Sequence, residues 1–177
     1  GTYFTGVIQD YQIIDGVHWI ASTNGLWYSY IGYTGWYLVA GTAGQSFADI
    51  ISFKGNLYCH RIDAAKGVYA FTKSSASLVY SATTGVSLMH CGTFMALFCN
   101  DANGKIVYYK TEWKTAIGML TTGYGFSEVV SNTFIDKGKS KLIYCSQLSG
   151  TADRWYIFIN ALEPDASTVS FTQTIHS

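Results

Sequence analysis

The sequence predicts an all-β protein, a β-propeller of four blades with four antiparallel strands in each. Three observations predict it: a composition rich in β-forming residues, one set of phrases written four times along the chain, and turn residues spaced to join short strands. In 177 residues nearly half (49%) are hydrophobic and 16% aromatic, with fourteen Tyr, eighteen Gly and a single proline, Pro164. Only 12% are charged. Aromatic and β-branched residues suit a pleated, half-buried surface, and a chain of this length can bury a core without staples.

A period of 20 to 50 residues fixes architecture before any local reading does. The first phrase is Gly-x-x-Phe/Leu, with Gly1, Gly44, Gly85 and Gly123 followed by Phe4, Phe47, Leu88 and Phe126. The steps are 43, 41 and 38 residues, and Thr42, Thr83 and Thr121 precede three of the four glycines as Thr-x-Gly. This phrase predicts the crossing from the outermost strand of one blade to the innermost strand of the next, with the apolar residue entering the core.

The second strand of each blade follows as "WIAS", "YCHR", "FCND" and "YCSQ", beginning at Trp19, Tyr58, Phe98 and Tyr144. The third starts near Gly25, Gly67, Lys105 and Arg154, and the fourth closes each unit as "GWYLVAGTA", "SLVYSATT", "TAIGMLTT" and "TVSFTQTI". Between first and second strands stand "DG" (15–16), "KG" (54–55) and "KG" (137–138), and between second and third "TNG" (23–25), "AAKG" (64–67) and "DANG" (101–104). Glycine there supplies the positive φ of tight hairpins. No capped segment of helical period is visible. The blades are expected at 1–43, 44–84, 85–122 and 123–177, forming one domain, with a closed four-bladed ring favoured over four blades of a longer array.

The stretch "FTGVIQDYQIIDGVHWIASTNGLWYSYIGYTGWYLVAGTAG" resembles the repeat of sialidase-like and photosystem-assembly-like propellers, which recur in phage tail proteins. That resemblance implies a propeller fold and a setting in a tail or fibre. The Asp-box of such repeats, S-x-D-x-G-x-T-W, is degenerate here: "SYIGYTGW" (Ser29 to Trp36) lacks the aspartate.

Eleven basic residues balance eleven acidic ones and no run of like charge occurs, which argues against nucleic acid as a partner. The longest uncharged stretch is broken by Gly, Ser, Thr and Asn, so no membrane insertion is expected. An enzyme of the sialidase kind is implied to need three arginines, and the chain has only Arg61 and Arg154. There is no G-x-S-x-G, H-E-x-x-H or P-loop. Asp49 and Glu128 remain as a distant glycan-cleaving pair.

Cys59, Cys99 and Cys145 share one second-strand register, filled by Ile20 in the first blade, and Cys91 stands apart. The three in the repeated slot are expected as small buried hydrophobes and all four as free thiols, in keeping with assembly in a reducing cytoplasm.

Two sets of residues are candidates for a site. Two positions beyond the repeated Phe/Leu stand Gly6, Asp49, His90 and Glu128, expected around the propeller axis, where they face water, pair with one another or hold a cation. No cofactor is otherwise expected. The second set is aromatic: Tyr33 and Trp36 in "YIGYTGW", Trp113 in "KTEWK" and Trp155 after "GTAD". Flat rings among short polar side chains suit the apolar face and hydroxyls of a sugar, or the centre of a protein interface.

The expected function is a non-enzymatic recognition module, the receptor- or glycan-binding part of a phage tail or similar surface fibre. Its partner would be a cell-surface glycan or protein receptor, and the chain would form part of a larger fibre or a homo-oligomer. A structural virion component without a small ligand is the alternative.

Overall fold

A computed structural model describes residues 3–91, 94–100, 105–116, 126–135, 141–148, 155–161 and 170–173, with side chains as far as residue 115. The described residues form β-strands and turns, with no helix among them.

The first sheet contains β1 (Ile8–Ile14), β2 (Val17–Ser22), β3 (Gly25–Tyr30) and β4 (Tyr37–Leu38), and the second β5 (Phe47–Phe53), β6 (Asn56–Arg61), β7 (Gly67–Phe71) and β8 (Ala76–Ser81). In the third are β9 (Gly85–Cys91), β10 (Phe94–Cys99), β11 (Lys105–Tyr109) and β12 (Trp113–Ala116). The fourth consists of β13 (Phe126–Ile135), β14 (Lys141–Leu148), β15 (Trp155–Ala161) and β16 (Ser170–Gln173). Each sheet runs in sequence order with antiparallel neighbours.

Local chemistry accounts for the hairpins. Ile14 pairs with Val17 and Phe53 with Asn56, leaving Asp15–Gly16 and Lys54–Gly55 as two-residue loops. Their φ angles are 51° and 73°, and 51° and 75°. Both central residues at positive φ make the primed turn whose twist matches the strands. These are the predicted "DG" and "KG" turns; the "KG" at 137–138 and "DANG" at 101–104 lie outside the described residues.

The crossing phrase is explained at its second copy. Buried Thr42 accepts a hydrogen bond at Oγ1 from the Leu26 amide at 3.2 Å and donates to the Val39 carbonyl at 2.8 Å. Gly44 turns the chain at φ 70°, and Phe47 enters the core with no exposed surface. The third copy differs, because Gly85 is already the first residue of β9.

The closed propeller ring predicted from the repeat is not what the structure shows. The chain divides into two compact units, Gly1–Thr83 with the first two sheets and Thr84–Ser177 with the other two. A physical reason is visible in the first unit. Trp19, Leu26 and Val39 of the first sheet and its exit share one buried cluster with Phe47, Ile50, Cys59, Tyr69 and Phe71 of the second. Two sheets thus cover each other's apolar faces, and burial in this pair does not depend on closing a ring of four.

The predicted second-strand equivalence also changes. Trp19 and Tyr58 are each the third residue of their strand, whereas Phe98 is the fifth of β10 and Tyr144 the fourth of β14. Cys59, Cys91 and Cys99 are buried thiols, with Cys59 pointing its sulfur to the Tyr69 carbonyl at 3.8 Å. Cys145 lies beyond the described side chains.

Candidate functional site

The groove between the first and second sheets starts from two core rings. Alternation along β2 sends Val17, Trp19 and Ala21 inward. Trp19 meets the edge of Phe71 with centroids 5.2 Å apart and tilts over Tyr28 at 5.5 Å. Phe71 ends β7, and the chain then reverses through Thr72–Ser75, closed by the Thr72 amide donating to the Ser75 carbonyl at 2.8 Å. Trp19, Phe71 and Leu57 give the resulting cavity of 410 Å³ an apolar base. Gly55, Asn56, Thr72, Lys73 and Ser74 form its polar rim.

Lys73 joins this groove to a cluster of tyrosines. Its ammonium lies 4.5 Å from the centroid of the Tyr30 ring and 5.9 Å from that of Tyr28. Tyr28 stacks on Tyr37 at 5.4 Å and 26°, and presents its edge to Tyr30 at 6.0 Å. Tyr30 in turn meets Tyr33 at 5.8 Å. Strand alternation puts Tyr28 and Tyr30 on one face, and the next loop is held by the Tyr33 amide on the Tyr30 carbonyl and by Ser29 Oγ on the Gly35 carbonyl. Tyr33 is 69% exposed.

The sequence-predicted aromatics therefore separate. Tyr33 faces solvent beside the groove, while Trp36 is half-buried and packs edge-on to Phe4 at 6.5 Å. Trp113 opens β12 in the second unit, half-buried against Tyr109 at 5.2 Å. Trp155 opens β15, and its side chain lies outside the described residues. Sequence reasoning missed Tyr28, Tyr37 and Lys73. The alternation in "WYSY" carried a signal for Tyr28 beside Tyr30; nothing local pointed to Lys73.

The acidic candidates lie on the first strands. Asp49 is the third residue of β5 and Glu128 the third of β13, whereas exposed His90 is the sixth of β9. The third residue of β9 is Ser87, and that of β1 is Asp10 rather than Gly6, which precedes the strand. Register breaks fall beside each of these positions, at Ile8/Asp10, Ala48/Ile51, Phe98/Cys99 and Phe126/Glu128. The first strands thus share a bulge near a short polar residue, a relation that the Gly-x-x-Phe phrase did not reveal. The Glu128 side chain is outside the described residues, so the Asp49–Glu128 pair has no described geometry.

Asp10 ties the first sheet to the second. Its Oδ2 accepts from the Ile50 amide at 2.7 Å, and Oδ1 from the Tyr11 amide at 2.7 Å. Burial pushes its carboxyl above the ordinary value, against the pull of these hydrogen bonds, and the charge of Asp49 adds to the rise. Asp49 sits at φ 52°, a left-handed conformation that aspartate tolerates better than most residues.

His60, fully buried on β6, brings Nδ1 to 3.6 Å from Asp49 Oδ2, beyond hydrogen-bond reach. Neither ring nitrogen has a hydrogen-bond partner among the described residues. An unmet buried polar group costs about 1 to 3 kcal/mol, so His60→Leu is expected to raise the unfolding free energy by about 1 kcal/mol or more. Urea denaturation of the two proteins checks this; a lower midpoint for the variant would show that the imidazole makes a stabilising contact.

Among the described residues no group of three His, Cys, Asp or Glu side chains is disposed to hold a metal ion. Comparison of the chain with protein-family models, curated proteins and solved structures gave no match in any of the three.

Proposed function

We propose that the chain is a non-enzymatic recognition module that binds a cell-surface glycan at the tyrosine-flanked groove of its first unit. The observation that carries this reading is the chain of rings Tyr28, Tyr30, Tyr33 and Tyr37 beside a groove rimmed by Asn56, Thr72 and Ser74. Tyrosine stacks on the apolar face of a pyranose, and short polar side chains meet its hydroxyls at little entropic cost. The resemblance of the repeat to sialidase-like propellers of phage tail proteins suggests a setting, the receptor-binding part of a tail or fibre.

A glycan array probed with the purified protein tests the reading, followed by titration of the best-bound glycan into Tyr33→Ala. The ring is mostly exposed, so its removal is expected to weaken binding by about 1 kcal/mol, the scale of an aromatic contact, with the melting temperature unchanged. Silence across the array, or unaltered affinity in Tyr33→Ala, overturns this placement.

One feature favours a structural, assembly role as the second reading. Ile8, Tyr11 and Ile13 on β1, the terminal strand of its sheet, are 53%, 45% and 55% exposed. Apolar side chains on a terminal strand suit contact with another chain. Concentration-dependent association in sedimentation, abolished by Ile13→Lys, would favour that role.

A further inference from the structure

The groove has a charge as well as a shape. Lys73 is the one charged side chain in its lining, which contains no carboxylate. The Lys73 ammonium rests against Tyr30 and Tyr28, and no ion pair among the described residues engages it. Contact with the ring faces restrains the long side chain while leaving ammonium protons for another acceptor. A neutral sugar settling over the groove would displace water from this ammonium and return hydroxyl hydrogen bonds weaker than those a carboxylate makes, a net loss. An anionic group on the ligand offsets that loss.

We infer that the groove selects an acidic polysaccharide whose uronic-acid units place their carboxylate on Lys73 and their ring face on Tyr30 and Tyr33. This inference rests on the glycan reading above and narrows it to one substrate class. The contact is a charge-assisted hydrogen bond, stronger than its neutral counterpart, and it weakens as salt rises.

The test is calorimetric titration with oligogalacturonate, oligoguluronate and hyaluronan oligosaccharides, each beside its carboxyl methyl ester, which keeps the rings and removes the charge. At least one acid form is expected to bind about tenfold more tightly than its ester at low salt. That gap should close at high salt, vanish in Lys73→Gln and persist in Lys73→Arg, with melting temperatures unchanged. Equal affinity for acid and ester, with Tyr33→Ala still weakening both, overturns the acidic class and leaves the glycan reading standing. Binding of neutral glycans on the array, with silence toward all three acids, likewise overturns the acidic class alone. Preference for poly-glutamate over every glycan overturns both.

Discussion

Trp19→Ala is expected to lower the unfolding free energy by about 3 to 5 kcal/mol, the range for removing a large aromatic side chain from a packed interior. The ring is 3% exposed and belongs to the cluster that binds the first sheet to the second. Its removal deprives Phe71 of an edge contact and Tyr28 of its tilted neighbour, and the void opens onto the groove. Water entering there relieves the vacuum but not the lost dispersion, so little of the cost is recovered. Urea unfolding followed by intrinsic fluorescence and circular dichroism measures it. A loss under about 1 kcal/mol would mean that the two sheets are held chiefly by something other than this cluster. Glycan affinity should fall in the same variant, since Phe71 and Tyr28 set the base and the side of the proposed site. Tyr33→Ala separates recognition from stability; Trp19→Ala links them.

The hairpins were legible in the sequence because a primed turn is a local demand. Asp15–Gly16 and Lys54–Gly55 needed two residues able to take positive φ, and no distant contact altered that. The strands themselves were legible through aromatic and apolar content bounded by turn residues, as in "VHWIAS" and "GLWYSY".

Register was not legible from the repeated phrase. Gly-x-x-Phe aligned Gly6 and His90 with Asp49, but pairing is counted from the hairpin and shifted by bulges. Asp10 and Ser87 hold the third positions instead. The closed ring was an inference from repetition alone, whereas the core of the first unit shows that two sheets suffice to cover each other.

The loop "YIGYTGW" was a sound pointer, yet only Tyr33 of its two nominated rings faces outward, because Phe4 draws Trp36 down. The groove itself joins β2 to the turn after β7, over fifty residues apart in sequence. No local pattern in "FTKSS" announces that Lys73 will rest on Tyr30. Such a site is created by packing between sheets and becomes visible only with the fold.

Gly67→Ala is expected to cost about 3 kcal/mol, at the upper end of what overpacking usually costs, because the added methyl meets backbone rather than a movable side chain. A Cβ at this position would stand 2.4 Å from the Tyr80 carbonyl oxygen and 2.8 Å from Leu78 Cδ1. Leu78 can rotate away, but the carbonyl belongs to β8, whose register against β7 already breaks between Val68 and Tyr69. Relief therefore requires β8 to separate at the Gly67–Ser81 pair or β7 to begin later. Gly25 holds the matching first position of β3, where a Cβ would lie 2.6 Å from Leu38 Cδ1 and 3.0 Å from the Thr42 carbonyl oxygen. The two glycines behind "TNG" and "AAKG" thus share a second duty, letting the fourth strand or its exit pass close over the start of the third. Thermal and urea unfolding of Gly67→Ala give the magnitude, and hydrogen exchange should show the β8 amides opening first. A variant as stable as the parent, with β8 protection intact, would mean that the outer strand shifts at no cost and that glycine at this position serves only the preceding loop.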